Sequence, residues 1–543
     1  MSNINPVKLT PARDKDAHLN WMGGPSWDVK DPVVTLRMAA ASCFFGEPQY
    51  YHSDVEDKRP RRISGMARRV MLTDRDRDYL RETLNGVDPQ EWRTMSPTEL
   101  MVSAIDRALD HDPERTLAVA SALRNEDYIR TTPQVIMVRA AHHEKVWGTG
   151  LIRKYGAEII KRPDEAATQL AYQIATFGPR PIPNSLKRAW AAAYERFNEY
   201  GLAKYKLKSR TVKTVDVVNL SHPASDAVNK LMRGELALND ETWEAYISQN
   251  GSNKDTWTSV LPRMGHMAVL RNLRNFMKFG VDVEAVKERL LKTQEGSMQL
   301  PFRYYSAYQA IQAAPDVLPS LLDTVEECLV NSIAAGPQFP GRVMSLCDNS
   351  GSAWGMTTSS MGTMHVAQIA NLTGVITGMA ADEGYVGVFG DRLEQVPVRK
   401  RDSLFEQTKR LDAAGQGIGG GTENGIWLFW DQAIRNKEHW DQVFVYSDMQ
   451  AGHGGLYGTN SNEYRDYIWQ GRDGYRGYID VPKLISTYRQ QVNPKVNVYL
   501  VQVAGYQDTI VPEYYDRTYI LGGWSDSLLR FAAAMSGLGQ AQQ

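Results

Sequence analysis

After residue 340, short apolar runs alternate with helix-length segments, and this alternation limits the fold more than any other feature of the chain. The runs RVMSLCD, GYVGVFGD, VFVYSD and VNVYLVQV are rich in β-branched and aromatic residues, and each ends in polar or glycine-rich sequence. Such runs are typical of short strands. The amphipathic segment MHVAQIANLTGVITGMAADE, which has the length of a helix, separates the first two. The pattern predicts a parallel sheet covered by helices, with ligands bound at the carboxyl ends of the strands.

The earlier part of the chain has helical signals instead. SPTELMVSAIDRAL starts with Ser96 as a predicted N-cap and Pro97 at the first helical position, and DPERTLAVASALR repeats this arrangement with Asp112 and Pro113. SLKRAWAAAYERFNEYG is predicted to be one helix that ends at Gly201. There is no convincing alternation of strands and no strict period, so we predict an array of degenerate helical repeats.

Length and composition are those of a multidomain globular protein. A chain of 543 residues exceeds the size of a single core, and the linker-like AAGPQFPG leads us to predict domains at 1–335 and 341–543. No stretch approaches the roughly 18 apolar residues of a membrane span, and the N-terminus lacks the apolar core of a signal peptide. We therefore expect a cytoplasmic protein. The three cysteines lie far apart and predict neither disulfides nor a zinc site.

The segment SLCDNSGS places Asp348, Ser350 and Ser352 at alternate positions just after the first predicted strand. A turn would explain these residues, because Asp, Asn, Ser and Gly all favour turns. However, Asp448 ends another predicted strand, and Thr422 follows the glycine-rich GQGIGGG. Two carboxylates and three hydroxyls form an all-oxygen ligand set that suits Mg²⁺, with a coordination position left for an outside ligand. We favour the cation site over the turn.

The motif DNSGS resembles the DxSxS motif of the von Willebrand factor A domain. In that domain a later Thr and Asp complete a metal-ion-dependent adhesion site, and Thr422 and Asp448 match them. The resemblance implies a Rossmann-like α/β domain that binds Mg²⁺ or another divalent cation.

The helical part resembles the TROVE domain of the Ro 60 kDa RNA-binding proteins, so that the whole chain looks like a bacterial or phage member of that family. In that family HEAT-like helical repeats close into a ring, and the A domain follows. The stretches that carry the resemblance are EPQYYH, SLKRAWAAAYERFNEYGLAKYKLK, LSHPASD, MGHMAVLRNLRNF and LPFRYYSAYQAI.

This resemblance implies a noncatalytic ribonucleoprotein component that acts in RNA quality control. Single-stranded 3′ ends of misfolded RNAs would enter the ring, and small Y-like noncoding RNAs would bind the basic outer surface. The resemblance also suggests cooperation with a 3′ exonuclease such as polynucleotide phosphorylase.

The charge distribution supports a polyanion-binding surface in the helical part. Although the net charge is −1, residues 151–280 carry 20 basic and 12 acidic residues. Clustered cations bind phosphates with little base specificity and with strong salt dependence. By match to the family, Lys204, Lys208 and His222 are the first candidates for RNA contacts. Further candidates are Lys206, Arg210, Lys187, Arg188, Arg271 and Arg274. Lys208 and Arg210 compete for one role, and ion pairs or helix capping would explain Arg271 and Arg274 equally well.

Two other functions stay open at this stage. A metal-dependent hydrolase or nuclease would use Asp348 and Asp448, although the ligand set offers no evident general base and few carboxylates. A purely protein-binding A domain would instead bind a partner protein, whose carboxylate would coordinate the metal. Because no Ser/His/Asp, Cys/His or paired-acid arrangement lies beside the basic segment in the sequence, we predict no enzymatic activity.

Overall fold

The structure is a computed structural model, and the residues it describes cover most of the chain with several gaps. They are residues 18–19, 25–28, 31–41, 97–205, 212–236, 242–295, 297, 301–315, 317–355, 365–419, 423–447, 449, 481–503, 508–509, 517–522, 529 and 532.

The chain divides into two compact units, which we call the sheet unit and the helical unit. The sheet unit comprises residues 1–151, 338–402 and 406–543, and the helical unit comprises residues 152–337 and 403–405. The sequence domains 1–335 and 341–543 stay predictions. No helix among the described residues is long and apolar enough to cross a membrane.

The sheet unit is built on a six-stranded sheet of order β5-β4-β3-β6-β7-β9. Five strands run parallel, and β5 pairs antiparallel with β4 at one edge. The four strands predicted from the sequence are all present, which confirms the predicted α/β fold class. The strands are β3 (Phe339–Asp348), β4 (Ala381–Phe389), β5 (Leu393–Pro397), β6 (Gln442–Ser447), β7 (Asn497–Gln502) and β9 (Thr518–Gly522).

Near-continuous apolar runs form the central strands because both faces of a parallel sheet are covered. All six residues of β6 are buried, as are the last six of β3. One face packs on a core that contains Trp427, Trp430 and Trp440. The sheet unit contains helices α1 (Pro32–Ala41), α2 (Pro97–His111), α3 (Pro113–Asn125), α4 (Thr132–His142), α17 (Gly351–Gly355), α18 (Val366–Met379), α19 (Leu404–Gln416, except its first two residues), α20 (Glu423–Asn436) and α21 (Val481–Gln491).

A second, small sheet was not predicted. Strands β1 (His18–Leu19) and β2 (Pro25–Asp28) pair antiparallel, and β2 also pairs with β8 (Asp508–Thr509). Runs of two to four residues carry too little periodicity to be recognised in the sequence. The N-terminal part of the chain is therefore not purely helical.

The helical unit consists of short amphipathic helices, as the sequence predicted. Its core includes Trp190 and Tyr194, both fully buried, and the Trp190 indole donates to Gln169 Oε1 at 2.7 Å. The helices are α5 (Leu151–Ile159), α6 (Pro163–Phe177), α7 (Asn184–Tyr194), α8 (Glu199–Lys204), α9 (Thr214–Ser221), α10 (Asp226–Met232), α11 (Trp243–Asn250), α12 (Lys254–Val260), α13 (His266–Lys278), α14 (Val283–Lys292), α15 (Pro301–Gln312) and α16 (Pro319–Ala334).

Local capping explains one confirmed helix start and one wrong prediction. Asp112 caps α3 as expected, because its Oδ1 accepts from the Arg115 amide at 3.0 Å. The helix predicted to end at Gly201 is instead two helices, α7 and α8, and Gly201 lies inside the second. The cause is Asn198, whose Oδ1 accepts from the Gly201 amide at 2.8 Å and so starts a new helix.

Candidate cation site and nucleic-acid interface

Asp348 is the last residue of β3, at the carboxyl edge of the sheet. The neighbours of β3 are β4 on one side and β6 on the other, and both are parallel to it. The chain passes from β3 to β4 in one direction and later enters β6 on the opposite side. The gap between β3 and β6 is therefore a topological switch point, which is where open α/β sheets bind their ligands.

Hydrogen bonds fix the Asp348 carboxylate in this position. Its Oδ1 accepts from the Ser350 amide at 2.9 Å, and its Oδ2 accepts from the Ser447 hydroxyl at 2.6 Å. The side chain is fully buried, and a buried charge requires such partners. Because Ser447 ends β6, the carboxylate joins the two strands that flank the switch point.

The hydroxyl groups of Ser350 and Ser352 lie next to each other. Their Oγ atoms are 3.1 Å apart, and both side chains are buried. Two ligands at right angles on an octahedral Mg²⁺, each about 2.1 Å from the ion, are about 3.0 Å apart. The hydroxyl pair therefore fits adjacent positions of such an ion, and the structure brings together three of the five predicted ligands.

The other two predicted ligands, Thr422 and Asp448, lie outside the described residues. Among the residues that the structure does describe, no group of three or more His, Cys, Asp or Glu side chains is suited to hold a metal. The cation site thus depends on hydroxyls as well as carboxylates, and its completion by Thr422 and Asp448 stays a prediction.

Behind the loop, a buried polar network was missed by sequence reasoning. The side-chain amides of Asn349 and Asn371 exchange hydrogen bonds of 2.8 and 3.0 Å, and Asn371 Nδ2 also donates to Asp412 Oδ1 at 2.8 Å. Burial raises the pKa of Asp412 to about 6, and the hydrogen bond from Asn371 opposes that rise. Asn371 and Asp412 lie on α18 and α19, far from the motif in sequence, so no local signal reveals them as partners of Asn349.

The first group of predicted cations lies on α7, α8 and α9. Lys187 and Arg188 are on α7, which packs against α9. Lys187 is half-buried and Arg188 exposed, and no carboxylate among the described residues forms an ion pair with either. His222 follows α9 in the left-handed conformation, with φ 51°, and its side chain is exposed. This conformation ends the helix in an ordinary way, because the His222 amide donates to the Val218 carbonyl at 2.9 Å.

Lys204 is not a free cation. Its Nζ lies 3.1 Å from Glu244 Oε1 and 5.8 Å from the centre of the half-exposed Tyr200 ring. Burial disfavours the ammonium, but the hydrogen bond to Glu244 and the charge of that carboxylate outweigh burial and raise the pKa of Lys204. A phosphate that binds Lys204 must therefore compete with Glu244. The predicted neighbours Lys206, Lys208 and Arg210 lie outside the described residues.

Arg271 and Arg274 lie on the exposed side of α13. The opposite side of the helix is buried through Val269, Leu273 and Phe276, among others. Within the described part of the chain, neither arginine has a carboxylate at ion-pair distance. Lys278 is exposed seven residues after Arg271 and extends the same side by two turns, although the sequence analysis overlooked it.

The buried side of α13 carries a second polar network. His266 is buried and lies 2.8 Å from the Tyr304 hydroxyl through Nε2 and 3.0 Å from the Leu290 carbonyl through Nδ1. The carbonyl can only accept, so Nδ1 carries the proton and Nε2 accepts from Tyr304. Burial lowers the pKa of His266. The network joins α13 to α14 and α15 and so holds the arginine-bearing helix in place.

The chain matches known proteins in two comparisons. Residues 230–320, which include α13 and both arginines, match the family model described as the TROVE domain. Among solved structures, the chain is similar to the crystal structure of Deinococcus radiodurans RO (RSR) protein. The identity is 14%, the TM-score is 0.48, and the match covers 95% of this chain and 100% of that chain.

Proposed function

We propose that this chain, of which residues 230–320 match the TROVE domain model, is an RNA-binding protein. The observation that carries the proposal is the exposed pair Arg271 and Arg274. Both side chains lie inside the matched segment, on one side of a helix whose other side is anchored in the core. Two cations without a carboxylate partner among the described residues are available to phosphate.

The chemistry of this surface suits a ribose-phosphate backbone. Guanidinium groups donate forked hydrogen bonds to phosphate oxygens, and arginine planes also stack on unpaired bases. Contacts of this kind position an RNA without reading its sequence. We therefore propose that the shape of the RNA and its single-stranded ends, rather than base identity, decide what is bound.

The more detailed role follows from the family resemblance and belongs to the same proposal. The RNAs would be small Y-like noncoding RNAs and misfolded RNAs with single-stranded 3′ ends. Lys187, Arg188, Lys204 and His222 would contribute to one surface, and Arg271 with Arg274 to another. The chain would act in RNA quality control without catalysis of its own, alongside a 3′ exonuclease such as polynucleotide phosphorylase.

We further propose that the sheet unit binds Mg²⁺ through Asp348, Ser350 and Ser352, with Thr422 and Asp448 as the predicted remaining ligands. The buried, hydrogen-bonded carboxylate and the spacing of the two hydroxyls support this proposal. A bound Mg²⁺ would supply an open position for a carboxylate or phosphate oxygen of a partner. The residues of this chain would orient the ion and shield it from water.

The test of RNA binding uses the double variant Arg271→Ala/Arg274→Ala. We expect its affinity for a labelled RNA with a single-stranded 3′ end to fall on the order of tenfold or more at low salt. The slope of log affinity against log salt should become shallower by about one to two, because up to two phosphate contacts are lost. Fluorescence anisotropy at several salt concentrations measures both quantities.

The matched control is Lys287→Ala/Lys409→Ala, which removes the same charge from two lysines that are already paired with glutamates at 3.0 and 2.7 Å. Its affinity should stay within about twofold of wild type, because exposed pairs contribute little. Equal losses in both variants would show that net charge alone drives binding and would contradict the assigned surface. Shortening of the RNA in the presence of Mg²⁺ would instead support the nuclease.

A further inference from the structure

Residues 348–352 form what we call the cation loop. It packs on two side-chain amides that hydrogen-bond to each other, and neither amide is a predicted ligand. Asn349 lies between the predicted ligands Asp348 and Ser350, and Asn371 lies on α18. Asn349 Nδ2 donates to Asn371 Oδ1 at 2.8 Å, and Asn371 Nδ2 donates back to Asn349 Oδ1 at 3.0 Å. Both side chains are buried.

The remaining hydrogen atoms of the two amides are also used. Asn349 Nδ2 donates to the Cys347 carbonyl at 3.0 Å, and Asn371 Nδ2 donates to Asp412 Oδ1 at 2.8 Å. The backbone amide of Asn349 donates to the Phe389 carbonyl at 2.8 Å. Any rotation of the Asn349 side chain would leave buried polar groups without partners, which is costly. The network therefore holds Asn349 in one orientation.

Helix α19 closes the last side of this network at Gly415. A Cβ atom on residue 415 would lie 1.9 Å from Asn349 Oδ1 and 2.5 Å from its Cγ. Atoms cannot approach so closely, so any side chain at 415 would push Asn349 out of its place. Glycine at position 415 therefore leaves the space that the Asn349 side chain occupies in this orientation.

We propose that Asn371 and Gly415 are positioning residues for the cation site. They fix the side chain of Asn349, and its backbone in turn sets the directions of the neighbouring Asp348 carboxylate and Ser350 hydroxyl. The ligand is a hard divalent cation of the size of Mg²⁺. This inference rests on the proposed cation site, and it adds residues from α18 and α19 that do not touch the ion. Residues that orient metal ligands in this way typically change metal affinity by 10–100-fold.

The experiment measures Mg²⁺ binding to the full chain by isothermal titration calorimetry. We expect Asn371→Ala and Gly415→Ala each to weaken Mg²⁺ binding by 10–100-fold. Gly417→Ala is the matched control, because a Cβ there meets only the Ala414 carbonyl at an ordinary 3.7 Å. Its Mg²⁺ affinity should equal that of wild type. Circular dichroism and thermal melting of each metal-free variant show whether it is folded.

A double-mutant cycle with Asn349→Ala separates positioning from loss of packing. If Asn371 acts through Asn349, the double variant Asn349→Ala/Asn371→Ala should bind Mg²⁺ about as weakly as either single variant. Losses that multiply would show independent roles and would overturn the proposed route. If Gly415→Ala does not fold, this cycle still tests whether Asn371 positions the cation site through Asn349.

The remaining outcomes distinguish this inference from the cation site itself. Wild-type protein that binds Mg²⁺, with folded Asn371→Ala and Gly415→Ala variants that bind it equally well, would overturn the positioning role alone. Wild-type protein that fails to bind Mg²⁺ would overturn the cation site and this inference together. Weakened binding in Gly417→Ala to the same degree would show a general effect of the helix terminus and would also overturn the role of Gly415.

Discussion

The cation loop of the sheet unit and the cationic face of the helical unit position their functional groups in opposite ways. In the loop, Asp348, Asn349 and Ser350 are buried, and each makes defined hydrogen bonds. On the helical face, Arg271 and Arg274 are exposed, and only their helix is anchored. The loop is thus suited to the proposed binding of one ion at one point, whereas the face presents exposed charges that suit the proposed extended polyanion.

The comparison extends to the buried titratable groups behind each site. Burial raises the pKa of Asp412 to about 6 beneath the loop, and it lowers the pKa of His266 beneath the arginines. Both shifts favour the neutral form. In each region, then, the charges proposed to bind a ligand lie on the proposed site, and burial opposes the charge of the supporting group.

The largest expected effect follows from removal of the loop carboxylate. Asp348→Asn should weaken Mg²⁺ binding by more than about 100-fold, because a neutral amide is a poor ligand for a hard cation. RNA affinity should stay within about twofold, because the predicted RNA contacts lie in the other unit. Calorimetry with Mg²⁺ and anisotropy with RNA measure the two affinities on the same preparation.

The control for this variant is Glu394→Ala, which removes an exposed carboxylate from the edge strand β5. It should change neither affinity by more than about twofold, because it alters only the net charge. Loss of RNA retention in Asp348→Asn at unchanged stability would show that the RNA site has been assigned to the wrong unit.

A smaller effect tests how burial acts on the charge of Asp412 behind the loop. The pKa of Asp412 is raised from 3.8 to about 6, so between these values the folded protein binds more protons than the unfolded chain. Its contribution to the free energy of unfolding therefore falls as pH rises from about 4 to about 6 and stays low above that. Asp412→Asn should stabilise the protein by about 3 kcal/mol at pH 8 and by less than about 1 kcal/mol at pH 4.

Denaturant unfolding of wild type and Asp412→Asn at the two pH values measures this difference. Asp431→Asn is the control. The Asp431 carboxylate pairs at 2.9 Å with Arg435, which lies one turn further along α20. It should destabilise the protein at pH 8, the opposite sign. Stabilisation by Asp412→Asn that is the same at pH 4 and pH 8 would mean that the carboxyl group does not change its charge between them.

The sequence predicted what is locally encoded. The four strands and the position of Asp348 at a strand end follow from periodicity and from residue type. Each of these features depends on a stretch of about ten residues. The structure confirms the strands, and it places the three described members of the predicted ligand set on one loop.

The features that sequence reasoning missed depend on residues that are distant along the chain. Asn349 meets Asn371 and Gly415 only after β3, α18 and α19 have packed together, and nothing in SLCDNSGS indicates those partners. The pairing of Lys204 with Glu244 likewise joins two separate helices. Hydrogen bonds and ion pairs of this kind follow from tertiary packing, and a single sequence carries no periodic signal for them.

The smallest expected effect concerns Lys204, which already forms an ion pair with Glu244. Glu244→Gln removes the carboxylate that occupies Lys204, so it should strengthen RNA binding by about two- to fivefold, in line with the weak energy of exposed pairs. Lys204→Ala should weaken binding, and the double variant should bind like Lys204→Ala, because Glu244 then has no lysine to compete for. Glu284→Gln, which frees Lys287 instead, is the matched control and should leave the affinity unchanged. If Glu244→Gln has no effect while Lys204→Ala still weakens binding, RNA reaches Lys204 without displacing the carboxylate, and this surface would be as pre-arranged as the cation loop.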